Sequence, residues 1–117
     1  MTYAEVAEMI GAMAEAVGGP FTYYQWPPER PEDVPEPPYI LFWYPERDDF
    51  AADNENYQII PVLRIELYTE TKDFAAEAAL EQVLRDREFT YDVSEEYLDA
   101  ERMHMTVYET EVMIHAQ

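Results

Sequence analysis

The sequence predicts an α+β fold, a mainly antiparallel sheet of about four to five strands flanked by two helices. Three observations predict it. Apolar residues recur at helical spacing in two stretches, residues 2–17 and 71–87. They alternate at strand spacing in 57–69 and again in 102–115. The connections between the strands look hairpin-like, which favours antiparallel pairing.

The first helix is announced by Thr2 and Glu5 at capping-box spacing. Val6, Met9, Ile10, Met13 and Val17 form its apolar stripe, with Glu5, Glu8 and Glu15 off it. Gly18-Gly19-Pro20 ends it, because glycine takes the left-handed cap and proline cannot continue the helix. Phe21 to Trp26 is aromatic and reads as a short strand. Pro27 to Pro38 holds six prolines and four acidic residues and reads as an extended connection.

Tyr39 to Tyr44 is a continuous apolar run, as expected of a strand covered on both faces, with Trp43 in the core. Pro45 to Asn56 reads as a polar, acidic loop. In the strand from about Tyr57 to Thr69, Leu63, Ile65 and Leu67 alternate with Arg64, Glu66 and Tyr68, so one face is buried. Pro61 inside that run points to an edge or a bulge.

Thr71 is the expected cap of the second helix, with Asp73 in its first turn and Ala76, Leu80, Val83, Leu84 and Arg87 along its inner stripe. Phe89, Tyr91 and Val93 alternate as a strand, Leu98 to Glu101 make a turn, and a last strand runs from Arg102 to about His115. Its apolar parity changes from Met103, Met105 and Val107 to Tyr108, Val112 and Ile114, a phase shift near Val107 and Tyr108 that a β-bulge or a strand leaving the sheet would explain.

A chain of 117 residues suits one domain, and 48% hydrophobic residues supply one core. The absence of cysteine excludes disulfides, thiolate metal sites and cysteine nucleophiles. No apolar run is long enough to span a membrane, and Met1 to Glu5 lacks the basic start and apolar block of a signal peptide, so no membrane partner and folding in the cytoplasm are expected.

Twenty-six acidic residues against seven basic ones give a net charge of -19. That balance argues against direct nucleic-acid binding, because phosphate contacts need Lys and Arg. It leaves three readings: plain solubility, a surface past which DNA slides without sticking, and an acidic inhibitor or DNA mimic that occupies the basic groove of a nucleic-acid-handling protein.

No catalytic constellation stands out. His104 and His115 are the two histidines, separated by an odd number, and read as surface or edge residues. Asp48, Asp49, Asp53 and Glu55 cluster in one loop, but their spacing lacks the pattern and the glycine of a calcium loop. With three glycines and one serine, Ser94, neither a phosphate-cradling loop nor a nucleophile elbow can be built. The expectation is a protein without enzymatic activity, cofactor or metal. What remains suits contact. Tyr23, Tyr24, Trp26, Trp43 and Tyr44 concentrate rings in the first half. Trp26, Phe50, Asp48, Asp49 and Asp53 are the candidate subunit or partner interface. Phe50 either tucks back on its own domain or plugs a neighbour's pocket.

The ordered stretches Tyr23-Tyr24-Gln25-Trp26, Pro38-Tyr39-Ile40, Asp49 to Asn54, Leu63 to Thr69 and Tyr97 to Met103 resemble small head-to-tail joining and tail proteins encoded in prophages of Gram-positive bacteria. The order of elements is similar to that of the tail-terminator family of long-tailed phages. That resemblance implies an α+β subunit of a ring, six-membered by analogy, that caps the tail tube and docks to the head. It implies as partners further copies of the chain, tail-tube proteins and head-connector proteins. It also implies a place in the virion tail after assembly in the bacterial host cytoplasm, with DNA passing through the ring. The family has no catalytic residues to carry over.

Overall fold

The computed structural model describes residues 1–26 and 34–115, without the side chains of Asn56 and Tyr57. Residues 27–33 of the expected proline-rich connection lie outside the described residues.

Helix α1 spans Tyr3–Val17. The Thr2 side chain accepts from the Glu5 N–H at 3.1 Å while Glu5 accepts from the Thr2 N–H at 2.9 Å, which closes the capping box. At the other end Gly18, at φ 88°, takes the left-handed cap that the sequence predicts. Gly19 is fixed by crowding, because a Cβ there would lie 2.0 Å from the Pro38 carbonyl oxygen.

The strands are β1 (Phe21–Tyr23), β2 (Tyr39–Arg47), β3 (Phe50–Ala52), β4 (Glu55–Gln58), β5 (Pro61–Thr69), β6 (Asp92–Leu98) and β7 (Met103–Glu111), with α2 (Phe74–Asp86) between β5 and β6. Five of them form one sheet in the order β1-β2-β5-β7-β6, and β3 and β4 form a separate two-stranded hairpin. The large sheet is antiparallel except for β1, which runs parallel to β2. The α+β class, two helices and five-stranded, mostly antiparallel sheet agree with the sequence prediction.

Both helices pack on one face. Val6, Met9, Ile10 and Met13 of α1 and Ala76, Leu80 and Leu84 of α2 share a core with Ile40, Phe42, Leu63, Ile65, Leu67 and Tyr108. Each fully buried side chain of this size stabilises the fold by roughly 1.5–3 kcal/mol.

Several boundaries differ from the sequence reading. Asp73, not Thr71, caps α2, its carboxylate accepting from the Ala76 N–H at 3.0 Å. Strand β1 ends at Tyr23, since Tyr24 turns the chain at φ 66°. The expected strand from Tyr57 divides into β4 and β5. Pro61 opens β5 as its first residue, opposite Arg47 near the end of β2, a position that proline tolerates, and the register shift in β2 between Trp43 and Glu46 lies opposite the next residues, Val62 to Arg64. Strand β6 starts at Asp92, while Phe89 and Tyr91 lead into it packed against the core.

The bulge expected near Val107 and Tyr108 is absent, because β7 pairs with β5 in unbroken register from His104 to Glu111. Apolar residues occupy both faces of β7, and the helix-side face at its start is polar, with His104 and Thr106 buried there.

Candidate assembly interface

The segment read as an acidic loop is mostly ordered strand. Strand β2 continues through Pro45 to Arg47, and β3 and β4 then pair as a hairpin with a register shift between Phe50 and Ala51. Asp53 and Asn54 form its tip at φ 52° and 65°. Two consecutive positive-φ residues match the twist of a tight hairpin, and Asp and Asn tolerate that conformation best after glycine.

The base of the hairpin is tied down by Asp49. Its carboxylate accepts from the Ile60 N–H at 3.0 Å and from Arg47 Nε and Nη2 at 3.2 and 2.6 Å. The Asp48 N–H donates to the Ile60 carbonyl at 2.7 Å. Phe50 is 61% exposed, so it does not tuck back on its own chain.

Four of the five predicted interface residues therefore meet on this prong: Phe50 and Asp53 exposed, Asp48 exposed at its base, and Asp49 half-buried as its tie. Trp26 stands apart. It is half-buried, with its ring edge-on to Tyr39 at 5.5 Å.

That contact belongs to the sheet face without helices. Here Tyr39 stacks on Tyr68 at 4.8 Å and Tyr24 meets Trp43 edge-on at 5.2 Å. Trp43 is half-buried on this face rather than in the helix-side core, as the alternation of β2 requires. At the centre lies Glu66, 8% exposed. Its carboxylate accepts from Trp43 Nε1 at 3.2 Å, Arg64 Nε at 2.8 Å and the Tyr68 hydroxyl at 2.7 Å. A charge so placed tolerates burial because its oxygens are occupied. Burial, then this hydrogen bond, pushes the Tyr68 phenol up and keeps it a donor.

Two concavities flank the sheet. A cleft of about 680 Å³ carries Glu46, Glu88, Asp92, Glu109 and Glu111 among its walls. A hydrogen bond with Asp48 raises the Glu111 carboxyl above its ordinary 4.5, with desolvation and the charges of Asp48 and Glu46 adding to it. The second, about 410 Å³, lies between α1 and the β1 edge and is lined by Tyr3, Ala7, Tyr23, Phe42 and Tyr44.

The sequence named Tyr23 and Tyr44 only as members of an aromatic region. Tyr3 escaped notice because it sits outside the stripe of α1. Its ring nonetheless meets Tyr44 edge-on at 5.3 Å.

His104 corrects the expectation of two surface or edge histidines, since β7 lies inside the sheet, whereas His115 is exposed. His104 is buried in β7, with a ring nitrogen 3.6 Å from Glu95 and the other 3.5 Å from the Thr106 hydroxyl. Lys72 bridges Glu77 and Glu95 beside it. Among the described residues no group of three or more His, Asp or Glu side chains is placed to hold a metal ion, and no helix is long and apolar enough to cross a membrane.

No family model and no curated protein matches the sequence. In fold, the chain is similar to a chain of the solved structure "Virion of native gene transfer agent (GTA) particle", with a TM-score of 0.61 at 15% identity over 92% of this chain and 91% of that one. At that identity the likeness is one of fold, and it runs through nearly the whole of both chains.

Proposed function

We propose that this chain is a structural protein of a phage-like virion, a tail terminator or head-tail joining ring component that caps the tail tube and docks to the head. In this reading it works by assembly and has no catalytic role. The observation that carries it is the fold likeness to a chain of a gene transfer agent virion across 92% of this protein. The correspondence runs through 92% of this chain and 91% of that one, so the shared fold is not confined to a small part of either.

The surface suits the role. An exposed aromatic prong and an aromatic groove are different patches, and contacts between different patches are heterologous, the kind that closes into rings. The walls of the 680 Å³ cleft gather five carboxylates and no basic residue. Such a face, turned to the lumen of a ring, lets DNA pass without adhering, because like charge opposes phosphate contact.

Light scattering after size exclusion, over a range of salt and protein concentration, tests the reading. Subunits of charge -19 repel across a Debye length of about 30 Å at 0.01 M salt and about 8 Å at 0.15 M. The expected result is a closed ring, a hexamer by analogy with tail terminators, favoured by salt. A chain that stays monomeric at every salt and concentration, and also fails to bind tail-tube or head-connector proteins, overturns it.

A further inference from the structure

We propose that the hairpin of one copy seats Phe50 in the groove between α1 and the β1 edge of a second copy. The inference rests on the ring reading above and names the contact that would build the ring.

Three features converge on this pair. The groove is an acid-free concavity on a very acidic chain: its lining of Tyr3, Ala7, Tyr23, Phe42 and Tyr44 includes no carboxylate and no basic side chain. Charge of -19 sets copies against one another, so close approach is cheapest where one of the two surfaces carries no carboxylate.

The groove also has an unmet hydrogen bond. The Tyr44 hydroxyl is buried and has no hydrogen-bond partner among the described residues. Burial pushes its phenol up, so it stays a donor and needs an acceptor. The hairpin brings acceptors with it, the carboxylates of Asp53 and Glu55 and the carbonyls of β3 and β4. An acidic prong and a hydroxyl-lined groove are thus complementary, whereas two acidic clefts face to face are not.

Phe50 is also the exposed ring best placed to be a plug. Phe74 is more exposed, at 75%, but the Lys72 ammonium sits 4.7 Å from its ring and holds it at the start of α2. Phe50 instead opens a hairpin outside the main sheet, held at its base by Asp49. A ring presented in advance on a fixed prong gives up little entropy on docking. Its own groove does not take it, since it is 61% exposed.

The absence of cysteine makes cross-linking a clean test. Ala51→Cys places a thiol beside Phe50 without removing the ring, and Ala4→Cys places one next to Tyr3 at the groove. Mixed in equal amounts and treated with a short bis-maleimide, the two single variants are expected to give a covalent dimer far in excess of an Ala4→Cys and Ala78→Cys control on α2. Phe50→Ala is expected to raise the concentration for half-assembly about tenfold or more. Tyr44→Phe is expected to weaken assembly while leaving the urea midpoint of the isolated chain unchanged or raised, which a purely structural role for that hydroxyl would not do.

Rings seen by light scattering without the Ala4–Ala51 cross-link, or with it only in the control pair, overturn the docking and leave the ring reading intact. A protein that stays monomeric at every salt and concentration and binds no tail-tube or head-connector protein sinks both.

Discussion

The indole N–H of Trp43 donates to the Glu66 carboxylate at 3.2 Å, and that bond ties β2 to β5 on the face the helices leave open. Glu66→Ala removes the shared acceptor of Trp43, Arg64 and Tyr68 at once. The expected loss is about 3 kcal/mol, the lower end of the range for breaking a buried charge network, because Arg64 keeps some water. Glu66→Gln retains an acceptor and should lose less. Urea unfolding followed by tryptophan fluorescence measures both, and equal losses would show that the charge, rather than the hydrogen bonding, is what this site needs.

Asp49 makes a prediction about order rather than bulk stability. Its bond to the Ile60 N–H pins the hairpin base, while Arg47 is half in solvent and adds little. Asp49→Ala should lower global stability by only about 1 kcal/mol. Amide exchange across β3 and β4 should nevertheless rise well above that of β5. If the prong proposal holds, assembly weakens in the same variant although Phe50 is intact.

The cap of α2 separates two neighbouring residues. Asp73→Ala is expected to cost about 1 kcal/mol, because the Ala76 N–H loses its acceptor. Thr71→Ala, two residues earlier and exposed, should stay within about 0.5 kcal/mol of the parent. Thermal or urea melts of the two variants decide it, and the reverse order would return the cap to Thr71.

Glu111 gives the pH dependence. Its hydrogen bond with Asp48 raises its pKa above the ordinary 4.5, so the folded state binds the proton more tightly than the unfolded one. The stabilisation from this group is complete below the unfolded value and is lost as pH rises through the folded one. Glu111→Gln keeps a donor for Asp48 and cannot ionise. Its advantage over the parent should therefore be small near about pH 4 and grow as pH passes above the carboxylate range. Paired urea titrations across that interval check the sign, and an advantage that shrinks with rising pH would be incompatible with the shared proton.

The hairpin shows why the site was only half legible. Asp53-Asn54 is a good pair for two positive-φ residues, but its flanks, Phe50-Ala51-Ala52 and Glu55-Asn56-Tyr57, do not alternate enough to read as strands. Pairing between them and the tie from Asp49 to Ile60 supply what local preference lacks. The groove was hidden for a related reason: Tyr3, Tyr23 and Tyr44 come from three elements, and no spacing in the chain relates them.

What the sequence determined by itself is what one turn or one strand can decide. Thr2 and Glu5 close their capping box, Gly18 ends α1, and Leu63, Ile65 and Leu67 turn to the core, because each depends on neighbours a few residues away. The cysteine-free, acid-rich composition likewise needs no fold to be read. The tertiary structure decided the strand order, the parallel run of β1 beside β2, the placing of both helices on one face and the burial of His104 and Glu66. Those features are set by contacts between residues far apart in the chain. Loop closure and the packing of whole faces govern such contacts, and no local period records them.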